Sequence, residues 1–325
     1  MSLMSGIKKY KNAIDALAGV QGYCKWYLYL DSIWSRVRYG CVLNHYVVGN
    51  FHKRSSAERK KIYTYRDWCK VIATANKPEA IHYMKEKVDF NTFFAEFIGR
   101  DWLYSKNMTR EEFETFCKKH GGAILKPMSG LEGVGVVFSK LPQDTDGIAK
   151  SFEELKSKEM LIEEKIIQHP EMVFGNKSVN TIRVYTAYNP NTKQVTIIKT
   201  VVRAGIGDSI VDNSHSGGCA YEIDSELGYI ISPYYAANGK SSYIHPKTDI
   251  CMLGRKIPFW QEVKELCVKG ASKLPTCAYI GWDVAITEKG PNFIEGNHLP
   301  DLDMIEFVGS YGYKEKIMKG LGLWK

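Results

Sequence analysis

Two apolar runs near the C-terminus, residues 279–286 and a second ending in Glu295-Gly296-Asn297, constrain this chain more than any other feature. The turn Thr287-Glu288-Lys289-Gly290-Pro291 separates them. Ile280, Trp282, Val284 and Ile286 recur with a period of two and share one face of a predicted strand, while Asp283 points the other way. By the same period Phe293, Glu295 and Asn297 share a face of the next strand. A hairpin centred on Lys289 puts Asp283 directly opposite Glu295. Two carboxylates and an amide oxygen then meet at one spot. Like charges placed opposite each other repel, and burying them without a partner is costly. A divalent cation that prefers oxygen, such as magnesium, relieves both costs. A pair of solvated acids in a surface hairpin is the plain alternative for this pattern alone.

A chain of 325 residues can bury a large core, as one elaborate domain or two to three packed subdomains. Its net charge of +8 suits anionic small molecules or an acidic polymer, and does not by itself argue for nucleic acid. The eight cysteines include no C-x-x-C pair, and most, such as Cys267 and Cys277, lie in apolar surroundings. That favours reduced, buried thiols over a disulfide framework or a zinc site. No apolar run is long enough to span a bilayer, and no signal core follows Lys8, Lys9 and Lys11. The expectation is a cytoplasmic protein without a transmembrane segment.

Residues 1–80 carry helix-like spacing and no strand alternation, and are expected to be an N-terminal helical region. Lys53, Arg54, Arg59, Lys60 and Lys61 are expected to form one solvated helix face. A docking surface for an anionic polymer, a membrane-bound partner or acidic lipid is the sharper alternative. A helical segment spans 78–97, and Thr109 with Glu112 forms a capping pair for a helix that stops at His120-Gly121. Strands are predicted at 123–126, 135–138 and 160–164, with a helix starting at Ser151 between the last two, capped by Ser151 and Glu154. Strands at 181–188 and 194–203 flank the turn Asn189-Pro190-Asn191. Pro258 opens a helix in which Phe259, Val263, Leu266 and Ala271 recur at helical spacing. Antiparallel strands with interspersed helices give an α+β fold, without the rhythm of a doubly wound sheet.

Two further segments carry chemistry. Leu125-Lys126-Pro127-Met128-Ser129-Gly130-Leu131-Glu132-Gly133-Val134-Gly135-Val136 reads as strand, glycine-rich loop and returning strand. Glycines let backbone N–H groups approach phosphate oxygens, and Lys126 adds a positive charge beside them. It is neither a Walker A loop nor a dinucleotide fingerprint, because no Gly-Lys-Ser/Thr follows and a strand stands where a helix should begin. A flexible hairpin tip is the alternative. The strand 160–167 runs into Glu163, Glu164 and Lys165, with Ile166 next and Glu171 later. A strand exit of this kind suits a flat adenine ring, with a carboxylate left to accept ribose hydroxyls. An ordinary strand end with solvated acids is the alternative.

Glycine loop with Lys, Glu-Lys hinge with a later Glu, then Asp with Glu-x-Asn: that order resembles the ATP-grasp superfamily over residues 85–297, about two thirds of the chain. Glu164-Lys165 followed by Glu171 resembles the hinge of D-alanine–D-alanine ligase. Arg203-Ala204-Gly205 with Asn213-Ser214-His215-Ser216-Gly217-Gly218 looks like a stretch of glutamate-adding ligases of the ribosomal-protein type. The closest overall resemblance is to the sugar-transfer-associated ATP-grasp family of polysaccharide gene clusters. It rests on Asn180-Thr181-Ile182-Arg183-Val184, Asn213 with Gly217-Gly218, Ile257-Pro258-Phe259-Trp260, and Gly281-Trp282-Asp283-Val284 with Ile294-Glu295-Gly296-Asn297.

This resemblance implies an ATP-grasp fold, with a lid subdomain at 81–165 and a magnesium-bearing subdomain at 166–325. It implies ATP and one or two Mg²⁺ as cofactors. Lys126, and Lys87 ahead of Lys85, would contact the phosphates, with Ser129, Gly130, Gly133 and Gly135 in the covering loop. Glu163, Glu164, Lys165 and Ile166 would hold adenine and Glu171 the ribose, while Asp283, Glu295 and Asn297 would carry magnesium. Arg183 and Arg203 would neutralise charge during phosphoryl transfer, assisted by Lys199, with Asn213 beside them. His215 and His298 lie near these groups and read equally as structural histidines. The implied activity is a carboxylate–amine ligase working through an acyl phosphate on a sugar acid or an amino-acid-bearing glycan precursor. A small-molecule or sugar kinase on the same fold, and a nucleotide-binding accessory protein docking glycosyltransferases, are the competing readings. Two departures bear on the substrates: His298-Leu299-Pro300-Asp301 replaces a common Pro-Gly, and a helical region replaces the usual N-terminal α/β domain.

Overall fold

Helices fill the first hundred residues, and most of their ends are written in the sequence. A computed structural model describes residues 3–129, 134–175, 178–206, 218–235, 241–246 and 248–324. Helices α1 (Leu3–Gln21), α2 (Lys25–Tyr39), α3 (Leu43–Val48), α4 (Ser56–Lys61) and α5 (Tyr65–Ala75) form the N-terminal region. Gly40 ends α2 with a left-handed backbone (φ 77°), which lets its N–H reach the Arg36 carbonyl. Ser55 and Glu58 start α4 with a reciprocal capping box. Ile14, Leu17, Leu28, Tyr46 and Phe51 share a small core of their own.

The basic residues around α4 are not one solvated face. Arg59 is buried and grips both carboxylate oxygens of Asp31 at 2.6 and 2.9 Å, and Asp31 also accepts from the Tyr46 hydroxyl. Arg54 lies 3.6 Å from the centre of the Tyr311 ring, while Lys53, Lys60 and Lys61 stay exposed. Charge patterning in the sequence cannot see Asp31, which arrives from another helix.

Helices α6 (Pro78–Lys85), α7 (Lys87–Phe93) and α8 (Ala95–Ile98) follow, then β1 (Trp102–Tyr104), α9 (Arg110–Lys119), β2 (Gly122–Pro127), β3 (Val137–Lys140), α10 (Thr145–Ser157) and β4 (Met160–Glu164). The four strands make an antiparallel sheet ordered β1-β4-β2-β3. Phe113 and Phe116 of α9 and Ile148 and Leu155 of α10 pack on Ala123 and Ile162 to cover one face. Thr109 and Glu112 cap α9 as predicted. Helix α10, by contrast, starts well before Ser151. Asp144 is its cap, accepting from the Gly147 N–H at 2.8 Å, and Ser151 sits mid-helix. Gly147 in the first turn weakens the helical signal there, so the start is not visible from periodicity.

The larger sheet is built from β5 (Thr181–Tyr188), β6 (Val195–Ala204), β7 (Cys219–Ile223), β8 (Tyr279–Thr287) and β9 (Gly290–Asn297), with α11 (Trp260–Lys273) before β8 and α12 (Leu302–Phe307) and α13 (Lys314–Gly320) at the end. Its order is β7-β6-β5-β8-β9, antiparallel at every pairing. Alternation along each strand sends side chains to two separate cores. Ile182, Val184, Val202, Trp282 and Val284 meet α11 and the helices α6–α8, so residues 78–98 pack on this sheet although the sequence grouped 81–165 together. Trp282 and Phe293 stack there at 4.4 Å, worth roughly 1 kcal/mol beyond the area buried. Tyr185, Val201 and Tyr279 point the other way onto Tyr63, Val71, Ile305 and Ile317. Arg183, Arg203 and Asp283 interrupt that second apolar face. The fold is α+β, with two antiparallel sheets and helices packed on them.

Candidate functional site

Asp283 pairs with Glu295 across the β8–β9 hairpin, the register a turn centred on Lys289 predicts. It gets there by a different route. Thr287 pairs with Gly290, so the loop is only Glu288-Lys289, and an irregularity between Asp283 and Val284 then shifts the register by one. Ile294 is the extra residue of this bulge. It also corrects one expectation. Phe293 does not share a face with Glu295 but stacks on Trp282 in the opposite core. A bulge breaks the period of two between them, and no residue in the run announces it.

Asp283 is 2% exposed and is held by two guanidinium groups, one from the adjacent β5 and one from β6 beyond it. Arg183 Nε donates to Oδ1 at 2.5 Å, Arg183 Nη2 donates to Oδ2 at 3.0 Å, and Arg203 Nη1 donates to Oδ2 at 3.0 Å. Burial would raise the Asp283 pKa, but Arg183 and Arg203 hold it down to about 2. Arg183 Nη1 also reaches Asp301 at 2.9 Å, and the Tyr185 hydroxyl lies 3.3 Å from the same carboxylate. Sequence reading placed Asp301 only in the segment of unknown role. As the cap of α12, accepting from the Met304 N–H, it gives no signal of its own.

Glu295 is solvent-facing, yet protein atoms crowd around its carboxyl. That crowding and the Asp283 charge push its pKa above the usual value, while the two arginines oppose them. Asn297 Nδ2 lies 3.4 Å from Glu295 Oε1. Two carboxylates and an amide oxygen, one carboxyl reluctant to ionise beside the other, make a hard oxygen donor set that fits magnesium. Among the described residues, the cluster Asp101, His120 and Glu164 also brings three potential ligands together. There Lys119 Nζ donates to Asp101 Oδ2 at 2.5 Å, and His120 Nε2 lies 2.8 Å from the same oxygen.

On the small sheet, Lys126 forms an ion pair with Glu163, which is 2% exposed. Arg100 donates to Glu163 Oε1 through Nη2 at 2.6 Å and Nε at 3.0 Å, and Asn91 adds a bond at 3.1 Å. The same guanidinium donates to the Phe293 carbonyl at 2.6 Å, which sits beside the bulge in β9. Arg100 therefore ties the Lys126–Glu163 pair of one sheet to the hairpin of the other. Sequence reasoning missed Arg100 and Asn91, which belong to no motif. Burial alone would raise the Glu163 pKa, but Arg100 and Lys126 hold it at about 2. This depressed value contributes stability above the usual 4.5, lost as pH falls towards about 2. Acid titration of folding should show wild type losing stability steeply across that window, and Glu163→Gln starting lower but changing less.

Lys87 approaches the glycine loop, its Nζ donating to the Met128 carbonyl at 3.3 Å, while Lys85 is exposed. Ser129 is exposed at the loop entry and Gly135 closes it with a left-handed backbone (φ 79°), where an added Cβ would meet Pro127 at 2.8 Å. Gly130, Gly133, Asn213 and His215 lie outside the described residues. Glu164 follows Glu163 on the opposite face of β4, its carboxylate accepting from the Asp101 N–H at 3.0 Å. Lys165 is exposed near Phe138, Ile166 is half-buried, and Glu171 is exposed in a short turn at Pro170–Met172. The His298 carbonyl accepts from Asn76, and burial lowers the pKa of its ring.

Lys199 is a correction. It shares the strand face of Arg203, but its Nζ donates to the carbonyls of Ile305, Val308 and Ser310 at 2.8, 2.5 and 2.8 Å. Only 1% exposed, with burial lowering its pKa to about 8, it anchors α12 and the chain just after it and makes no bond to Asp283 or Glu295 among the described residues. Lys199→Met leaves the buried carbonyls of Ile305 and Val308 without their donor and should cost about 2–4 kcal/mol in denaturant unfolding, with nucleotide affinity retained.

The sugar-transfer associated ATP-grasp family matches residues 70–319 of the chain. No curated protein sequence matches it. Solved structures with similar folds include ATP-grasp ligase PsnB complexed with minimal precursor, Mg and ADP, at 17% identity and a TM-score of 0.42, covering 76% of this chain and 61% of that one. The purK N5-carboxyaminoimidazole ribonucleotide synthetase in its ADP complex is 10% identical with a TM-score of 0.46, covering 79% and 58%. D-alanine–D-alanine ligase from Bacillus anthracis complexed with ATP is 14% identical with a TM-score of 0.38, covering 68% and 58%. The chain thus spans about three fifths of the length of these structures.

Proposed function

This chain belongs to the sugar-transfer-associated ATP-grasp family, and on that premise we propose that it is an ATP- and magnesium-dependent carboxylate–amine ligase. One observation carries the reading. The opposed acids Asp283 and Glu295 lie beside Arg183 and Arg203, and Arg100 links the hairpin that bears them to the Lys126–Glu163 pair. In this reading Lys87 and Lys126 bind phosphate oxygens, and the loop from Ser129 to Gly135 covers them. The Glu164 carboxylate is already engaged with the Asp101 N–H, so the backbone leaving β4 at 164–166 reads the base edge, and Glu171 takes the ribose. Asp283, Glu295 and Asn297 hold one or two Mg²⁺.

Bound Mg-ATP supplies the phosphoryl group that turns a carboxylate into an acyl phosphate, which an amine can then attack. Arg183 and Arg203 face the charge that builds up on the moving phosphoryl group, and each is already desolvated and fixed by Asp283. Closure of the glycine loop excludes water, which would otherwise hydrolyse the activated acid. The family's sugar-transfer association suggests a sugar acid or an amino-acid-bearing glycan precursor as substrate, within polysaccharide biosynthesis. Asp301, bonded to Arg183 and following the metal-type residues, is positioned to contact the amine.

A panel of uronic acids and amino acids tests this reading, scored by phosphate release from ATP and by mass spectrometry of the products. The expected result is an amide, with oxygen-18 from the labelled carboxylate appearing in the released phosphate. A stable phosphoester would replace the ligase with a kinase. Nucleotide binding without turnover across the panel would favour an accessory protein.

A further inference from the structure

Helix α2 is built inside out. Its inward face carries Leu28, Ser32 and Ser35, all buried, and two of the three are small and polar. Its outward face carries Trp26, Leu30, Ile33 and Val37, which are 67, 70, 54 and 68% exposed. Their spacing of four, three and four residues lines them up in one stripe, which Tyr27 and Trp34 widen. Lys25 and Arg36 flank the stripe on one side and Arg38 on the other, by the 3.6-residue period. An apolar patch this contiguous, rimmed by charge, marks an interaction surface.

Charge decides what covers it. Residues 1–77 hold fourteen Lys and Arg against four Asp and Glu, a net +10 in a chain whose total is +8. The net positive charge of the protein therefore resides entirely in this region, and the remainder is slightly acidic. Three of its four acids are engaged internally: Asp31 with Arg59, Asp67 with Lys314, and Glu58 in the α4 cap. At the C-terminal end of α2, Arg38, Lys60 and Arg66 join Arg59 and Lys314 around a concavity of about 240 Å³. A second copy laid on the stripe would bring two sets of basic flanks together. An anionic bilayer matches both features, because the acyl boundary receives the stripe and the headgroups receive the flanks. Tryptophan and tyrosine favour that boundary, with an apolar body and a polar tip.

We infer that α2 docks the protein on an anionic lipid surface, with its axis in the plane of the membrane and the apolar stripe at the acyl boundary. No helix among the described residues is long and apolar enough to cross a membrane, so the attachment is peripheral. The site is remote in sequence from the hairpin that carries Asp283 and Glu295, and needs no nucleotide.

Co-sedimentation of the full chain with phospholipid vesicles tests it. The chain should sediment with phosphatidylcholine vesicles containing one third phosphatidylglycerol and not with phosphatidylcholine alone, and added salt should weaken the binding. The double substitution Leu30→Glu and Val37→Glu replaces two solvent-facing side chains. It should weaken vesicle binding by at least about tenfold, with melting temperature and ATP turnover unchanged. Tryptophan quenching of the unsubstituted chain by brominated lipid supplies a readout that needs no variant, and quenching is expected. Equal binding to neutral vesicles, absence of quenching, or unchanged binding by the double variant would overturn the proposal. A dimer that the double variant converts to monomer, without vesicle binding, would assign the stripe to a second copy instead.

Discussion

Glu295→Gln lowers ADP formation by at least about 10²-fold and leaves the melting temperature unchanged, whereas Asp283→Asn loses both activity and about 3 kcal/mol of stability. The two acids face each other across one strand pair, yet they stand in different electrostatic positions. Glu295 is solvent-facing and pairs with no guanidinium group at ion-pair distance among the described residues, so its amide leaves no buried charge behind. Asp283 is the common acceptor for Arg183 and Arg203, both buried, and Asp283→Asn would leave their two guanidinium groups facing a neutral amide. Sequence alone treats the pair as equivalent ligands. Urea denaturation of both variants, alongside ADP formation with a productive acid and amine, separates the roles. Equal stability of the two variants would show that the arginines are balanced by something other than Asp283.

The second large effect is expected at Arg100. Arg100→Met removes the principal partner of a buried carboxylate and should cost about 3–5 kcal/mol of stability. It should also weaken nucleotide binding by about tenfold or more, for two reasons. Glu163 would then draw Lys126 wholly to itself, and the tie from the small sheet to the Phe293 carbonyl would be gone. Arg100→Lys restores one charge but not the fork that serves Glu163 and the β9 backbone together, so it should recover part of the stability and little of the affinity. If Arg100→Met left both quantities unchanged, the two sheets would be held by their other contacts.

Much of this was legible in the sequence because alternation reports burial directly. Ile280, Trp282, Val284 and Ile286 fixed the face of β8, and the face of Asp283 followed from it. Thr109 with Glu112 located the start of α9, since a capping box depends only on neighbours in the chain. What escaped depends on partners distant in sequence or on breaks in periodicity. The bulge at Ile294 sends Phe293 and Glu295 to opposite faces, although they stand two positions apart. Arg59 finds Asp31 and Arg100 finds Glu163, 28 and 63 residues away, and neither partner leaves a mark beside it. Lys199 shows the converse. It occupies the expected strand face, but three carbonyls from α12 and the segment just after it claim its ammonium group, and no spacing rule reveals that. Helices α6–α8 likewise precede the small sheet in sequence, yet they bury Phe90 and Phe94 against the larger one.

The central claim is that the hairpin acids hold the magnesium of a bound nucleotide, and calorimetric titration of ATP tests it most directly. The unsubstituted chain should bind ATP more tightly with magnesium than with the metal chelated. Glu295→Gln should lose that magnesium-dependent gain, by at least about tenfold, while its affinity for metal-free ATP stays the same. Magnesium-dependent binding of equal strength in both proteins would contradict the assignment of Glu295, Asp283 and Asn297 as the metal-holding group.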